Sequence, residues 1–149
     1  MEKAAAIQMK KENYLVQKVR DYAMLGKFRL SFLVVFSAVI GYVFGSTVGV
    51  SLASIFWLAL GGMLVTAASN AINQIIEKDI DKLMSRTQNR PLAAERMNVL
   101  EAIMAAGAFG IGGILILTTQ FNATAGVLSA ISLLSYAFVY TPLKRVSSI

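Results

Sequence analysis

The chain has 149 residues, 56% of them hydrophobic and only 15% charged, with a formal net charge of +6 and neither cysteine nor histidine. A soluble domain of this length would scatter its charges over its surface; here they gather in residues 1–29, 77–101 and 144–145. The composition excludes disulfides, Cys/His zinc sites, a Ser-His-Asp triad and a histidine-ligated haem.

No charge falls between Leu30 and Ile76, and none between Ala102 and Leu143. Runs of that length predict an all-α, polytopic membrane protein. Seven Lys/Arg lie in residues 1–29, five in 77–101 and two at 144–145, while 45–51 and 118–124 have none. That asymmetry places all three charged patches, and the N-terminus, on the cytoplasmic face of a bilayer. It also accounts for the net charge without a nucleic-acid partner.

Residues 1–27 form a cytoplasmic segment. It is too charged, and lacks the cleavage pattern, for a secretory signal, and Glu2, Glu12 and Asp21 argue against a transit peptide. Leu15, Val19 and Tyr22 share one helical face, so residues 12–25 read either as an amphipathic helix on the membrane surface or as a frayed tail. The uncharged run 30–76 is 47 residues long, enough for two spans of roughly 20 residues each across a ~30 Å hydrocarbon core. Gly45-Ser46-Thr47 and Gly49 mark the turn between them. The spans are placed at 28–47 and 51–80, and the second is longer than a bilayer requires. Gly61, Gly62, Ala67, Ala68 and Ser69 suit close helix packing or a substrate groove.

Residues 77–101 return to charge. Glu77, Asp79 and Asp81 sit within five residues, interleaved with or followed by Lys78, Lys82, Arg86 and Arg90. On a helix, Asn73, Glu77 and Asp81 are spaced i, i+4, i+8 and drift only about 40° per step; Asn70 lies one turn back. One face then carries two amides and two carboxylates, the oxygen donors that Mg²⁺ prefers. Asp79 points away unless the helix unwinds. Arg86 and Arg90 are also i, i+4 and would share one face of a short helix. Such a pair suits a diphosphate, or belongs to an ordinary positive-inside loop. Beyond Pro91, spans are expected at about 98–118 and 123–141, separated by Thr118–Asn122, so that four transmembrane helices form two antiparallel hairpins. Gly107, Gly110, Gly112 and Gly113 mark tight packing or a thin wall beside a cavity. Lys144 and Arg145 emerge on the side of the acids.

The pattern Asn73-x-x-x-Glu77-x-Asp79-x-Asp81, followed by Met84-x-Arg86-Thr87-x-x-Arg90-Pro91, resembles the first acidic motif of the protoheme IX farnesyltransferases. These are the haem-prenylating branch of the UbiA-type intramembrane prenyltransferases. Tyr140-Thr141-Pro142-Leu143-Lys144-Arg145 resembles a second signature of the same family. The superfamily's usual second Asp is Gln74 here, and Glu77 stands where a third Asp is common; both departures resemble the haem branch more than the quinone branch. The resemblance implies transfer of a farnesyl group from farnesyl diphosphate to a vinyl group of haem B, giving haem O, in a bacterial inner membrane. It implies Mg²⁺ on Asn73, Glu77 and Asp81, with Arg86 and Arg90 completing the catalytic set. Asn70, Lys78, Asp79, Lys144 and Arg145 would then contact substrate.

Family members carry further spans and a second acidic motif on a later cytoplasmic loop. No second acidic cluster exists in this sequence, so an N-terminal fragment, inactive by itself, is expected. A quinone-pathway prenyltransferase acting on an aromatic acid remains open within the enzyme class. A non-catalytic four-helix scaffold explains the hydrophobicity but not the polar cluster at one membrane edge, a costly and usually functional feature. A transporter would place its polar site near the midplane.

Overall fold

The computed structural model describes residues 2–47 and 49–140, with side chains from residue 13 to 139. Lys144 and Arg145, with the signature from Thr141 onward, lie outside the described residues. Among those described there are only helices: α1 (Glu2–Leu25), α2 (Phe28–Gly45), α3 (Leu52–Leu83), α4 (Val99–Gln120) and α5 (Ala123–Ser135), the last running into a π-helical turn, Tyr136–Tyr140. α2, α3 and α4 are long and apolar enough to cross a membrane, and the apolar stretch Ala123–Val139 is shorter. At 1.5 Å per residue, the 32 residues of α3 extend about 48 Å, well beyond a ~30 Å hydrocarbon core.

The expected boundaries shift for local reasons. α1 starts ten residues before the expected Glu12; Ala4-Ala5-Ala6 supplies the strongest helix-forming residue three times over. α2 stops at Gly45 rather than 47, where Ser46 turns extended and its hydroxyl donates to the Gly49 carbonyl. Gly49 sits at φ +94, in the region that glycine enters freely. Ser51 caps α3 by accepting from the Ser54 N–H. Asn98 and Asn122 cap α4 and α5 in the same way.

α3 is the central element, packed against α2 on one side and most extensively against α4 on the other. The α3–α4 seam is made by absent side chains. A Cβ on Gly113 would meet the Gly61 carbonyl oxygen at 2.8 Å and the Val65 nitrogen at 2.9 Å, and one on Gly61 would meet Leu117 Cγ at 2.8 Å. Gly107, by contrast, faces open space. It lines an apolar groove of about 400 Å³ with Ile72, Ile75, Ile103 and Leu133. Both readings of the glycine-rich helix therefore hold, at different glycines. Of α2 only Ser31 and Val35 are buried, and it turns Phe32, Leu33 and Phe36 outward, as a helix facing lipid does.

The buried apolar cluster lies at the charged end of the molecule. Leu25 of α1, Ala71 of α3, Leu92 and Met97 of the loop, and Ala102 and Ala106 of α4 meet there. α1 is pinned over this cluster at three points. Gln74, fully buried on α3, donates through Nε2 to the carbonyls of Met24 (3.0 Å) and Leu25 (2.9 Å). These are helix-terminal acceptors that α1 cannot satisfy itself. Lys18 Nζ contacts both carboxylate oxygens of Glu101 at 2.9 Å, and the Tyr22 hydroxyl donates to the same group at 2.8 Å. Arg96 Nε donates to the buried Asp21 at 3.0 Å.

Three outcomes follow from this packing. Gly113→Val should lower stability by about 1–3 kcal/mol, as overpacking does, while Gly107→Ala leaves it unchanged or slightly raised; thermal unfolding in detergent separates the two. Gln74→Leu takes the Gln74 donor from the buried Leu25 carbonyl and should cost about 1–3 kcal/mol, read as faster tryptic cleavage between Lys18 and Lys27. The hydrogen bond to Glu101 raises the pKa of Lys18, and that of Tyr22, above their ordinary values. A raised folded-state pKa stabilises fully below the unfolded value and is lost as pH rises through the folded one. The α1–α4 tie should therefore hold at neutral pH and release above roughly pH 10. In a difference absorbance titration against Tyr22→Phe, the tyrosinate of Tyr22 should form above its ordinary range, and Glu101→Gln should bring it down.

Candidate active site

The last four turns of α3 carry a polar face where the helix leaves its apolar neighbours. Asn70, Asn73, Gln74, Glu77 and Asp81 are all buried. Their spacing puts them on one side of a continuous helix, and the helix does persist to Leu83. Each buried polar group of this kind needs a partner, and the partners divide the face in two.

The deeper half is structural. Asn70 Nδ2 donates to the Gly26 carbonyl (3.1 Å) and to the Ser31 hydroxyl (3.2 Å), and Ser31 donates to the same carbonyl at 2.9 Å. With Gln74 it fastens the α1–α2 turn to α3. Asn70, expected among the substrate contacts, thus has its amide N–H₂ committed to this turn. Gln74 is the residue that sequence reasoning passed over. Its Oε1 is buried with no partner among the described residues. The one signal for its role was its i, i+4 relation to Asn70.

The outer half is ionic. Asn73 Nδ2 donates to Glu77 Oε2 at 2.8 Å. Arg90 Nη1 donates to both oxygens of Asp81, at 2.8 and 2.6 Å, and lies 3.8 Å from Glu77 Oε2. One guanidinium thus bridges two carboxylates, whose side chains are 8% and 5% exposed. Two like charges that close would repel; the guanidinium and the Asn73 amide compensate them. Arg90 reaches the acids because the loop folds back. Met84 turns extended and ends α3. The Thr87 hydroxyl donates to the Asp81 carbonyl at 3.0 Å, and buried Pro91 accepts from the N–H groups of Arg96 and Met97.

This fold-back corrects one expectation. Residues 84–98 contain turns and no helix, so Arg86 and Arg90 do not share a helical face. Among the described residues, the guanidinium hydrogen bonds to Asp81 come from Arg90 alone, and Arg86 is exposed. Asp79 is exposed on the far side of the helix, and Lys78, one turn past Gln74, is half-buried. The expectation that Asp79 points away while the helix persists therefore matches the geometry. Lys82 pairs with Glu95 at 2.6 Å on the surface.

No group of three His, Cys, Asp or Glu side chains gathers closely enough to hold a metal among the described residues. The donors that do gather are two carboxylates and an amide. That set fits the way Mg²⁺ is usually taken, by one or two carboxylates with water and substrate phosphates filling the remaining positions.

Residues 34–149 match the UbiA prenyltransferase family. A protoheme IX farnesyltransferase from Cytophaga hutchinsonii is 41% identical over 135 residues, 91% of this chain and 47% of the relative. Those from Christiangramia forsetii and Flavobacterium johnsoniae are 44% and 42% identical, over 83% and 87% of this chain and 41% and 43% of theirs. The chain therefore spans less than half the length of these curated relatives. No solved structure matches it. With its long apolar helices and its acids gathered at the end of α3, the chain belongs to the UbiA prenyltransferase family.

Proposed function

We propose that this chain forms the diphosphate-handling rim of a haem-prenylating enzyme, which moves a farnesyl group from farnesyl diphosphate onto a vinyl group of haem B to give haem O. The observation that carries the proposal is Glu77 and Asp81, buried on one face of α3 and bridged by Arg90, where an apolar helix emerges into a polar loop. The names of the similar proteins speak of farnesyl transfer and of protoheme IX; the diphosphate donor and the vinyl acceptor are what the motif resemblance implies. A substrate with an ionic head and an apolar tail suits such a border, since each end meets its own solvent.

In this reading Asn73, Glu77 and Asp81 hold Mg²⁺. When bound, the metal supplies a positive charge that stabilises the departing diphosphate. Asn73 fixes the orientation of Glu77 through its amide. Arg90 keeps both carboxylates aimed at one place, and its remaining N–H donors can meet phosphate oxygens. Breaking the farnesyl C–O bond puts negative charge on the diphosphate, and groups already aligned there act without reorganising. Arg86, exposed on the adjoining turn, adds a second guanidinium. Lys78, Asp79, Lys144 and Arg145 would serve the substrate from the periphery of the rim, and Asn70 through the turn that it holds.

The same reading arranges the chain as two antiparallel hairpins in a bacterial inner membrane, with residues 1–27 on the cytoplasmic side. Its supports are the distribution of Lys and Arg and the exposed Leu15, Val16 and Val19 on α1.

The test uses the full-length protein that carries this sequence. Glu77→Gln with Asp81→Asn, which keeps hydrogen-bonding shape at both positions, should abolish Mg²⁺-dependent binding of farnesyl diphosphate. Arg90→Gln should lower turnover by about 10²-fold or more. Labelled product should form with haem B and not with 4-hydroxybenzoate. Unchanged diphosphate binding in the double variant would favour a non-catalytic scaffold, and product from the aromatic acid would move the protein to the quinone branch.

A further inference from the structure

The corner between α1 and α2 holds a groove of about 400 Å³ that takes no part in the rim described above. Arg20, Lys27 and Arg29 line it together with Phe28 and Leu30, and no acid among the described residues does. Two helices contribute. Arg20, Ala23 and Lys27 recur at helical spacing along one side of α1 and into the turn, and α2 supplies the rest. Lys27 sits at φ 47, a left-handed conformation uncommon for a side-chain-bearing residue. α2 opens at this corner with no acid in its first turn and no side-chain cap on its N-terminus. The positive end of its dipole therefore adds to the three cations.

The apolar half of the groove is equally specific. Phe28 and Leu30 are 44% and 49% exposed, and the outward face continues down α2 through Phe32, Leu33 and Phe36. Beside Arg20 on α1, Val16 and Val19 are exposed as well. A soluble anion would use the cations and make no use of this apolar surface. A ligand with a negative head and two long tails uses both, with its head among the guanidinium and ammonium groups and its tails along the first span.

We propose that the α1–α2 corner binds an anionic phospholipid from the leaflet that α2 enters. The site needs only that α2 crosses a membrane; it stands or falls separately from prenyl transfer. Its location gives it a consequence. The corner is the turn that Asn70 and Gln74 clamp to α3, so a seated headgroup braces the base on which α1 is docked.

Native mass spectrometry of the purified chain, released from nonionic micelles doped with phosphatidylglycerol or phosphatidylcholine, tests this. Juxtamembrane cations contribute about fivefold each in affinity for anionic lipid, so the chain should retain phosphatidylglycerol at least fivefold over phosphatidylcholine. Arg20→Gln with Lys27→Asn and Arg29→Gln should erase the preference; asparagine tolerates the left-handed turn. Lys3→Gln with Lys10→Gln and Lys11→Gln, an equal charge loss on the same helix, should keep it. If the first triple variant does not fold, Arg20→Gln and Arg29→Gln made singly should each cost about fivefold. No preference in the starting protein, an equal loss in both triple variants, or displacement of the lipid by millimolar inorganic phosphate would overturn the proposal.

Discussion

Five polar side chains must be buried on one face of α3 at the level where it leaves its apolar neighbours, and each must find a partner there. That constraint organises the charged end of the molecule. Leaving a buried donor or acceptor unpaired costs about 1–3 kcal/mol, and more for a charge. The amide N–H₂ groups of Asn70 and Gln74 meet it with carbonyls at the end of α1 and in the α1–α2 turn, and the carboxylates of Glu77 and Asp81 meet it with Arg90, while Gln74 Oε1 has no partner among the described residues. The same face therefore fixes the position of α1 at one end and the path of the loop at the other. A change at Gln74 and a change at Arg90 act on one helix surface from opposite sides.

The seam between α3 and α4 supplies the rigidity that the face requires. With no Cβ at Gly61 or Gly113, the two backbones approach closely enough for Gly113 to lie over the Gly61 carbonyl. In a lipid setting, where burying apolar surface gives little, such close van der Waals contact is the main source of helix association. The acids are thus carried on the helix with the most extensive packing in the structure. Their geometry is held by a rigid element, and Arg90 is brought to them by a loop folded around buried Leu92 and Pro91.

The apolar helices were legible in the sequence because two charge-free runs can only be apolar helices, and Gly45-Ser46-Thr47 with Gly49 marked the turn between the first two. The acid face was legible because i, i+4 spacing fixes direction on any helix. What that face touches was not. Asn70 shares its surface with Asn73 and Glu77, yet it meets a turn 44 residues away, and nothing local announces that partner. The Arg86–Arg90 pair failed for a related reason. Helical spacing was applied to a segment in which extended Met84 ends the helix and the Thr87 hydroxyl holds the loop against it. Lys18, Tyr22 and Arg96 carried no signal at all, because their partners lie 75–83 residues distant.

Those separations also govern when the N-terminal helix can settle. α1 leaves the ribosome first, but Gln74, Arg96 and Glu101 are made much later. At 5–20 residues per second, the 83 residues between Lys18 and Glu101 take on the order of 4–17 seconds to synthesise. For that interval α1, with Leu25 uncovered, has no finished dock. The earliest part of the chain to be translated is therefore among the last to reach its place, and its anchoring reports that the first three apolar helices have already come together.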